Sequence, residues 1–124
     1  MNPILIVEDN EKNLKLVRDI LRFKGYSTIE ASTAAAGVRL ANEALPVLVL
    51  MDIQLPDFDG ITALKRLRDG AATRSIPVVA LSASAMPEDQ DRIVASGFDA
   101  YLTKPIEIKV FIELVERLIG KPGG

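Results

Sequence analysis

The sequence predicts a single α/β domain: a five-stranded parallel sheet of order 2-1-3-4-5 with helices on both faces, a three-layer sandwich. Five short apolar runs of strand length alternate with five stretches of helical periodicity. Connections of that length demand parallel strands joined by right-handed crossovers, and among doubly wound orders this one suits five strands. Four of the runs also stop at polar residues on the carboxyl side, at Glu8-Asp9, Asp52, Ser82 and Lys104. That is the edge at which open α/β sheets bind ligands, where strands one and three lie side by side.

Ile4 to Val7 is a buried strand opening into the acidic loop Glu8, Asp9, Asn10. Asp9 or Asn10 caps a helix over Glu11 to Lys24, whose Leu14, Leu16, Val17, Ile20, Leu21 and Phe23 predict a wide apolar stripe against the sheet. Gly25 ends this helix, and Tyr26 to Glu30 forms a weaker second strand. Ser32 or Thr33 caps an alanine-rich helix through Ala44, which Pro46 stops. Val47 to Met51 is continuously apolar, as expected of a strand covered on both faces, so Asp52 emerges at its carboxyl end. Asp59 caps a helix from Gly60 to about Arg68, with Ile61, Leu64 and Leu67 inward and Lys65, Arg66 and Arg68 outward. Ile76 to Leu81 is the fourth strand and ends in Ser82, Ala83, Ser84. Pro87 suits the first turn of a short fourth helix, acidic at its start and closed by Gly97. Ala100 to Thr103 leads to Lys104 and Pro105, and Ile108 to Ile119 is a last amphipathic helix built on Ile108, Phe111, Ile112, Val115 and Leu118. Residues 1–120 thus make the domain, and 121–124 read as a flexible tail.

A chain of 124 residues has room for one domain with a continuous core. Its 15 basic residues are scattered among 17 acidic ones, which leaves no electrostatic footprint for nucleic acid. The opening MNPILIVEDN has neither the basic start of a signal peptide nor the length of a membrane span, so a cytoplasmic protein without membrane partner is expected. Cysteine and histidine are both absent. Disulfides, thiolate nucleophiles, imidazole bases and Cys/His metal sites are therefore excluded, and polar chemistry falls to carboxylates, hydroxyls, lysines and hard cations.

On the predicted rim, Glu8, Asp9 and Asp52 meet a single ammonium, Lys104. Like charges about 4 Å apart repel by about 4 kcal/mol at an effective dielectric near 20, so such a cluster calls for a divalent cation. With only oxygen ligands available the natural ion is Mg²⁺, which pairs with carboxylates and phosphate oxygens. A strand-end carboxylate can itself accept a phosphoryl group. Asp9, Lys104, Ser82 and the small Ala83 supply the remaining needs: charge neutralisation, a hydroxyl for a phosphoryl oxygen, and open access for the donor.

Glu8-Asp9, Asp52 with Pro56 and Gly60 after it, Ser82-Ala83, and Tyr101 with Lys104-Pro105 together resemble the receiver domain of two-component response regulators, CheY-like in fold. The stretches ILIVEDN, LMDIQLPDFDG and IPVVALSASAM further resemble DivK-like single-domain regulators of bacterial cell-cycle signalling. The resemblance implies that Asp52 is the phosphoacceptor and that Asp9 and Asp52 bind Mg²⁺ directly. It gives Glu8 a role through water and Gln54 one through its backbone carbonyl. Ser82 takes the part of the switch hydroxyl, Lys104 that of the phosphate-pairing lysine, and Tyr101 that of the aromatic that turns inward on activation. A cis bond at Lys104-Pro105 is implied too. The expected partners are a histidine kinase or histidine phosphotransferase and a downstream protein target, read through the fourth helix, fifth strand and fifth helix.

Glu8 stands where the family more often has Asp. Ser84 and Gln54 are placed to tune a hydrolytic water. Leu14, at the edge of the first helix's apolar arc, is either a core residue or a docking contact for a helical phosphotransfer partner, beside Pro105. An alternative reading is an aspartate-dependent Mg²⁺ phosphatase acting on small phosphate esters. Such enzymes carry a second Asp two residues after the nucleophile, where this chain has Gln54. A flavodoxin-like FMN carrier is the third, opposed by Glu8, Asp9 and Glu11 where a phosphate loop would lie.

Overall fold

The computed structural model describes residues 2–122. Its elements are β1 (Ile4–Val7), α1 (Glu11–Phe23), β2 (Thr28–Ala31), α2 (Ala34–Ala44), β3 (Leu48–Asp52), α3 (Gly60–Asp69), β4 (Val78–Ser82), α4 (Pro87–Ala95), β5 (Ala100–Thr103) and α5 (Ile108–Ile119). All pairings are parallel and the order is β2-β1-β3-β4-β5, as the sequence predicts. The three inner strands are buried at every residue, whereas the edge strands β2 and β5 are mostly half-buried.

Alternation along the strands divides the core into two layers. Leu5, Val7, Val49, Met51, Val78 and Ala80 face α2, α3 and α4, meeting Ala34, Ala41, Leu64, Leu67 and Ile93. Ile4, Ile6, Leu48, Leu50, Val79 and Leu81 face α1 and α5, meeting Val17, Leu21, Phe111, Leu114 and Val115. Continuous apolar strands are thus read twice, once by each helical layer. Gly37 lets α2 lie close on β1: a Cβ there would come within 2.7 Å of Val7 Cγ2.

The caps choose between the sequence alternatives. Asn10 rather than Asp9 accepts from the Asn13 amide (3.0 Å), Thr33 rather than Ser32 from Ala36 (3.1 Å), and Asp59 from Thr62 (2.8 Å). Three differences from expectation have physical causes. The α1 stripe is narrow: Val17 and Leu21 are buried, but Phe23 is 88% exposed, because six residues past Val17 the helix has turned it away from the sheet. On α5, Ile108 shares the face of Phe111 and Val115 but, as the first residue of the helix, stands 51% exposed ahead of the buried stripe. Tyr26 lies before β2 and is buried, its hydroxyl donating to the Gly120 carbonyl at 2.6 Å and so joining the β2 entry to the end of α5. Of the predicted tail, Lys121 is exposed, Pro122 lies against Gly25, and residues 123–124 are outside the described residues.

Arg68, expected merely to face solvent, instead clamps α3 to the far edge of the sheet. Its guanidinium donates to the Ile76 carbonyl (2.7 Å), the Arg74 carbonyl (3.0 Å) and Asp99 (2.9 Å), and Asp99 in turn accepts from the Val78 amide (2.7 Å). Arg68→Ala is expected to cost about 2 kcal/mol in urea unfolding, since it leaves carbonyls and a carboxylate short of partners.

Candidate functional site

Register alone gathers the polar strand ends. Val7 pairs with Met51, which brings Glu8 level with Asp52; Asp52 pairs with Leu81, one residue before Ser82; and Ser82 pairs with Thr103, one residue before Lys104. A 2.8 Å bond from the Lys104 amide to the Ser82 carbonyl extends the last ladder by one rung. The peptide bond that follows, Lys104-Pro105, is cis.

Asp52 is 5% exposed and sits at the centre. Its Oδ2 accepts from Lys104 Nζ at 3.0 Å and its Oδ1 from the Gln54 amide at 3.1 Å. Lys104 Nζ also lies 2.7 Å from Glu8 Oε1. That contact is close but poorly aligned, so Glu8 Oε1 is a buried oxygen without a directed hydrogen bond. Burial, reinforced by Asp52, pushes the Glu8 carboxyl from 4.5 up to about 7, with Lys104 pulling the other way. Burial lowers the Lys104 ammonium, but the Glu8 and Asp52 carboxylates outweigh it, and its net shift is upward.

Oxygens of Glu8, Asp9 and Asp52 lie within 4.8 Å of one another, a set that can hold a metal ion. Three hard anionic donors, one of them buried and short of a partner, fit a hard divalent cation. Asp9 is exposed, so this edge is open to solvent. One cleft of about 410 Å³ reaches Asp52 between Glu8, Asp9, Asn10, Pro56 and Lys104. Another, of about 400 Å³, reaches it from the α4 side past Ser82, Ser84, Asp89 and Arg92.

Ser82 is buried and its Oγ accepts from the Ser84 amide at 3.1 Å. Ala83 is exposed at the cleft. Tyr101 is half-buried on β5, and its hydroxyl donates to Gln90 Oε1 on α4 at 2.9 Å, away from Asp52. Leu14 is half-buried against the α1 and α5 core layer, and Pro105 is exposed. Two contacts around the site escaped the sequence. Ser84 Oγ donates to Asp89 at 2.6 Å, and Asp57 accepts from the amides of Ala34 and Ala35 at 2.8 and 2.9 Å. An Asp beside Pro56 is an ordinary turn residue, and only the tertiary fold reveals its partner.

A family model described as the response regulator receiver domain matches residues 4–116. The chain is 44% identical over 117 residues to the polar-differentiation response regulator DivK of Brucella ovis, covering 94% of this chain and 95% of that protein. It is similar to the crystal structure of the receiver domain of a sensor histidine kinase from Pseudomonas aeruginosa, which has a magnesium ion coordinated in the active site cleft. There the TM-score is 0.89 at 32% identity, with 97% of this chain and 98% of that one covered. A CheY-like receiver domain protein from Methanospirillum hungatei aligns with a TM-score of 0.85 at 28% identity, covering 94% and 92%.

Proposed function

This chain belongs to the response regulator receiver domain family, the switch component of two-component signalling, and on that premise we propose that Asp52 is its phosphoacceptor. The donor is a phosphohistidine on a histidine kinase or phosphotransferase, which this histidine-free chain cannot supply itself. An Asp52 carboxylate oxygen forms the new bond to phosphorus as the N–P bond breaks, and the imidazole nitrogen leaves with the electron pair. The supporting observation is the placement of Asp52 between the Lys104 ammonium at 3.0 Å and the Glu8 and Asp9 carboxylates, at the foot of two open clefts.

Glu8, Asp9, Asp52 and the Gln54 carbonyl would hold Mg²⁺, which when bound offsets charge on the phosphoryl oxygens. Lys104 pairs with one such oxygen and Ser82 moves to donate to another, giving up the Ser84 amide. Tyr101 then releases Gln90 and turns into the space Ser82 vacates, changing the surface of α4, β5 and α5 that a target protein reads. Leu14 on α1, half-buried, and Pro105 just after β5, exposed, contact the donor.

Treatment with acetyl phosphate and Mg²⁺, followed by borohydride trapping and mass spectrometry, tests this. Label on Asp52 that disappears when Mg²⁺ is chelated is expected; label on another residue would overturn the assignment.

Glu8 gives the site a pH signature. Between its unfolded value of 4.5 and its folded value of about 7, the native protein binds a proton that the unfolded chain does not. Stability of the metal-free protein therefore falls as pH rises through that window and levels off above it, with Glu8 accounting for about 3 kcal/mol. Urea unfolding of wild type and Glu8→Gln at pH 5 and pH 8 should show this slope in wild type alone. Saturating Mg²⁺, which must displace the proton, should flatten it.

A further inference from the structure

The loop from Gln54 to Asp59 leaves the site and returns to α3, closed at its base by the Gly60 amide donating to the Ile53 carbonyl at 2.8 Å. Gln54, Pro56, Asp57 and Asp59 are exposed, while Leu55 and Phe58 pack against the core. Among the described residues, the hydrogen bonds that tie this loop to an element other than β3 and α3 are the two from Ala34 and Ala35 to the two oxygens of Asp57. Both amides belong to the first turn of α2, where backbone N–H groups lack helical partners and favour a carboxylate. Desolvation raises the Asp57 carboxyl, yet the Ala35 and Ala34 amides outweigh it and hold it below the ordinary range.

The post to which Asp57 is tied is rigid. Ala34 and Ala41 of α2 are buried, and Gly37 seats the helix directly on Val7, the residue before Glu8. Asp57 therefore braces the loop that follows Asp52 against the strand that delivers Glu8 and Asp9. We infer that Asp57 is a positioning residue for the acceptor site, setting the Gln54 carbonyl at a fixed distance from the Glu8 and Asp9 carboxylates through α2. This inference rests on the assignment of Asp52 and its metal set made above.

Calorimetric Mg²⁺ titration of wild type, Asp57→Ala and Asp57→Asn, with hydrogen exchange at the Ala34 and Ala35 amides, tests it. Loss of a group that orients a metal ligand typically costs about 10- to 100-fold in affinity. Asp57→Ala is expected to bind Mg²⁺ about tenfold more weakly and to exchange both amides faster. Asp57→Asn, of the same shape and keeping one carbonyl oxygen, should fall between, and it carries the test should the Ala variant fail to fold. Saturating Mg²⁺ should return the rate of Asp52 phosphorylation by acetyl phosphate to the wild-type value. Unchanged Mg²⁺ affinity in a folded variant whose Ala34 and Ala35 amides exchange freely would reduce Asp57 to a cap on α2 and overturn the inference. Wild-type protein that binds no Mg²⁺ would instead bring down the site assignment itself, and the inference with it.

Discussion

Asp52→Asn is expected to reduce phosphoryl incorporation from acetyl phosphate or a phosphohistidine donor to background while leaving the protein at least as stable as wild type. The amide keeps the shape of the carboxylate, but its single oxygen can accept from Lys104 or from the Gln54 amide and not from both, as Oδ2 and Oδ1 do, and it is no longer an anion able to attack phosphorus. After burial, the Asp52 carboxyl raises the Glu8 carboxyl by its hydrogen bond and, less, by its charge, and the substitution removes the charge. Glu8 then ionises more readily and keeps Lys104 to itself at 2.7 Å. That direction offsets the acceptor lost at the second oxygen, so the urea midpoint at neutral pH should not fall. Borohydride-trapped label and urea midpoints, measured on the same preparations, separate a chemical loss from an unfolding loss. A variant that still carries label at position 52, or one that loses label because it no longer folds, would contradict this account.

Gly60→Ala should be the most damaging single-methyl change near the site. A Cβ at position 60 would fall on the carbonyl oxygen of Asp52 and come within 3.0 Å of Ile53 Cα and 3.1 Å of Met51 Cγ. Two of these neighbours are backbone atoms of the acceptor strand and cannot swing aside as a side chain could. The alternatives are to push α3 off β3, breaking the 2.8 Å bond from the Gly60 amide to the Ile53 carbonyl, or to displace Asp52 itself. Overpacking of this kind costs about 3 kcal/mol. The urea midpoint should fall accordingly, and Mg²⁺ affinity should fall with it because the Asp52 backbone has moved. Ordinary stability in Gly60→Ala would mean that α3 seats more loosely than its buried Ala63, Leu64 and Leu67 imply.

The strand ends were legible because the chemistry turns from apolar to polar at one residue, although Glu8, Asp52 and Ser82 are themselves still buried. Leu50 and Met51 are wholly buried and Asp52 is the next residue; the same step occurs from Val7 to Glu8 and from Leu81 to Ser82. Periodicity was a poorer guide to how wide a helical face is buried. Phe23 counts as apolar on the α1 wheel, but the sheet beneath is narrower than that arc. Tyr26 reads as a strand aromatic by propensity, yet its hydroxyl is drawn to a carbonyl 94 residues away. Leu45 ends α2 in the left-handed region at φ 47°, a position where glycine is the usual signal, so no local pattern announced it. Asp57, Gln90 and Arg68 fall in the same class: each meets a partner far along the chain, and only the packed structure supplies it.

The seating of Gly37 on Val7 bears on how such a sequence can drift. Positions 7 and 37 share one small volume, so a methyl gained at 37 is tolerable only with bulk surrendered at 7. Substituting both should restore the midpoint that the first substitution alone lowers, a non-additive pair of the kind a double-mutant cycle registers. Because Glu8 follows Val7 directly, that compensating exchange could not proceed without consequence for the acidic rim, which confines the joint variation of two core positions by chemistry neither residue performs.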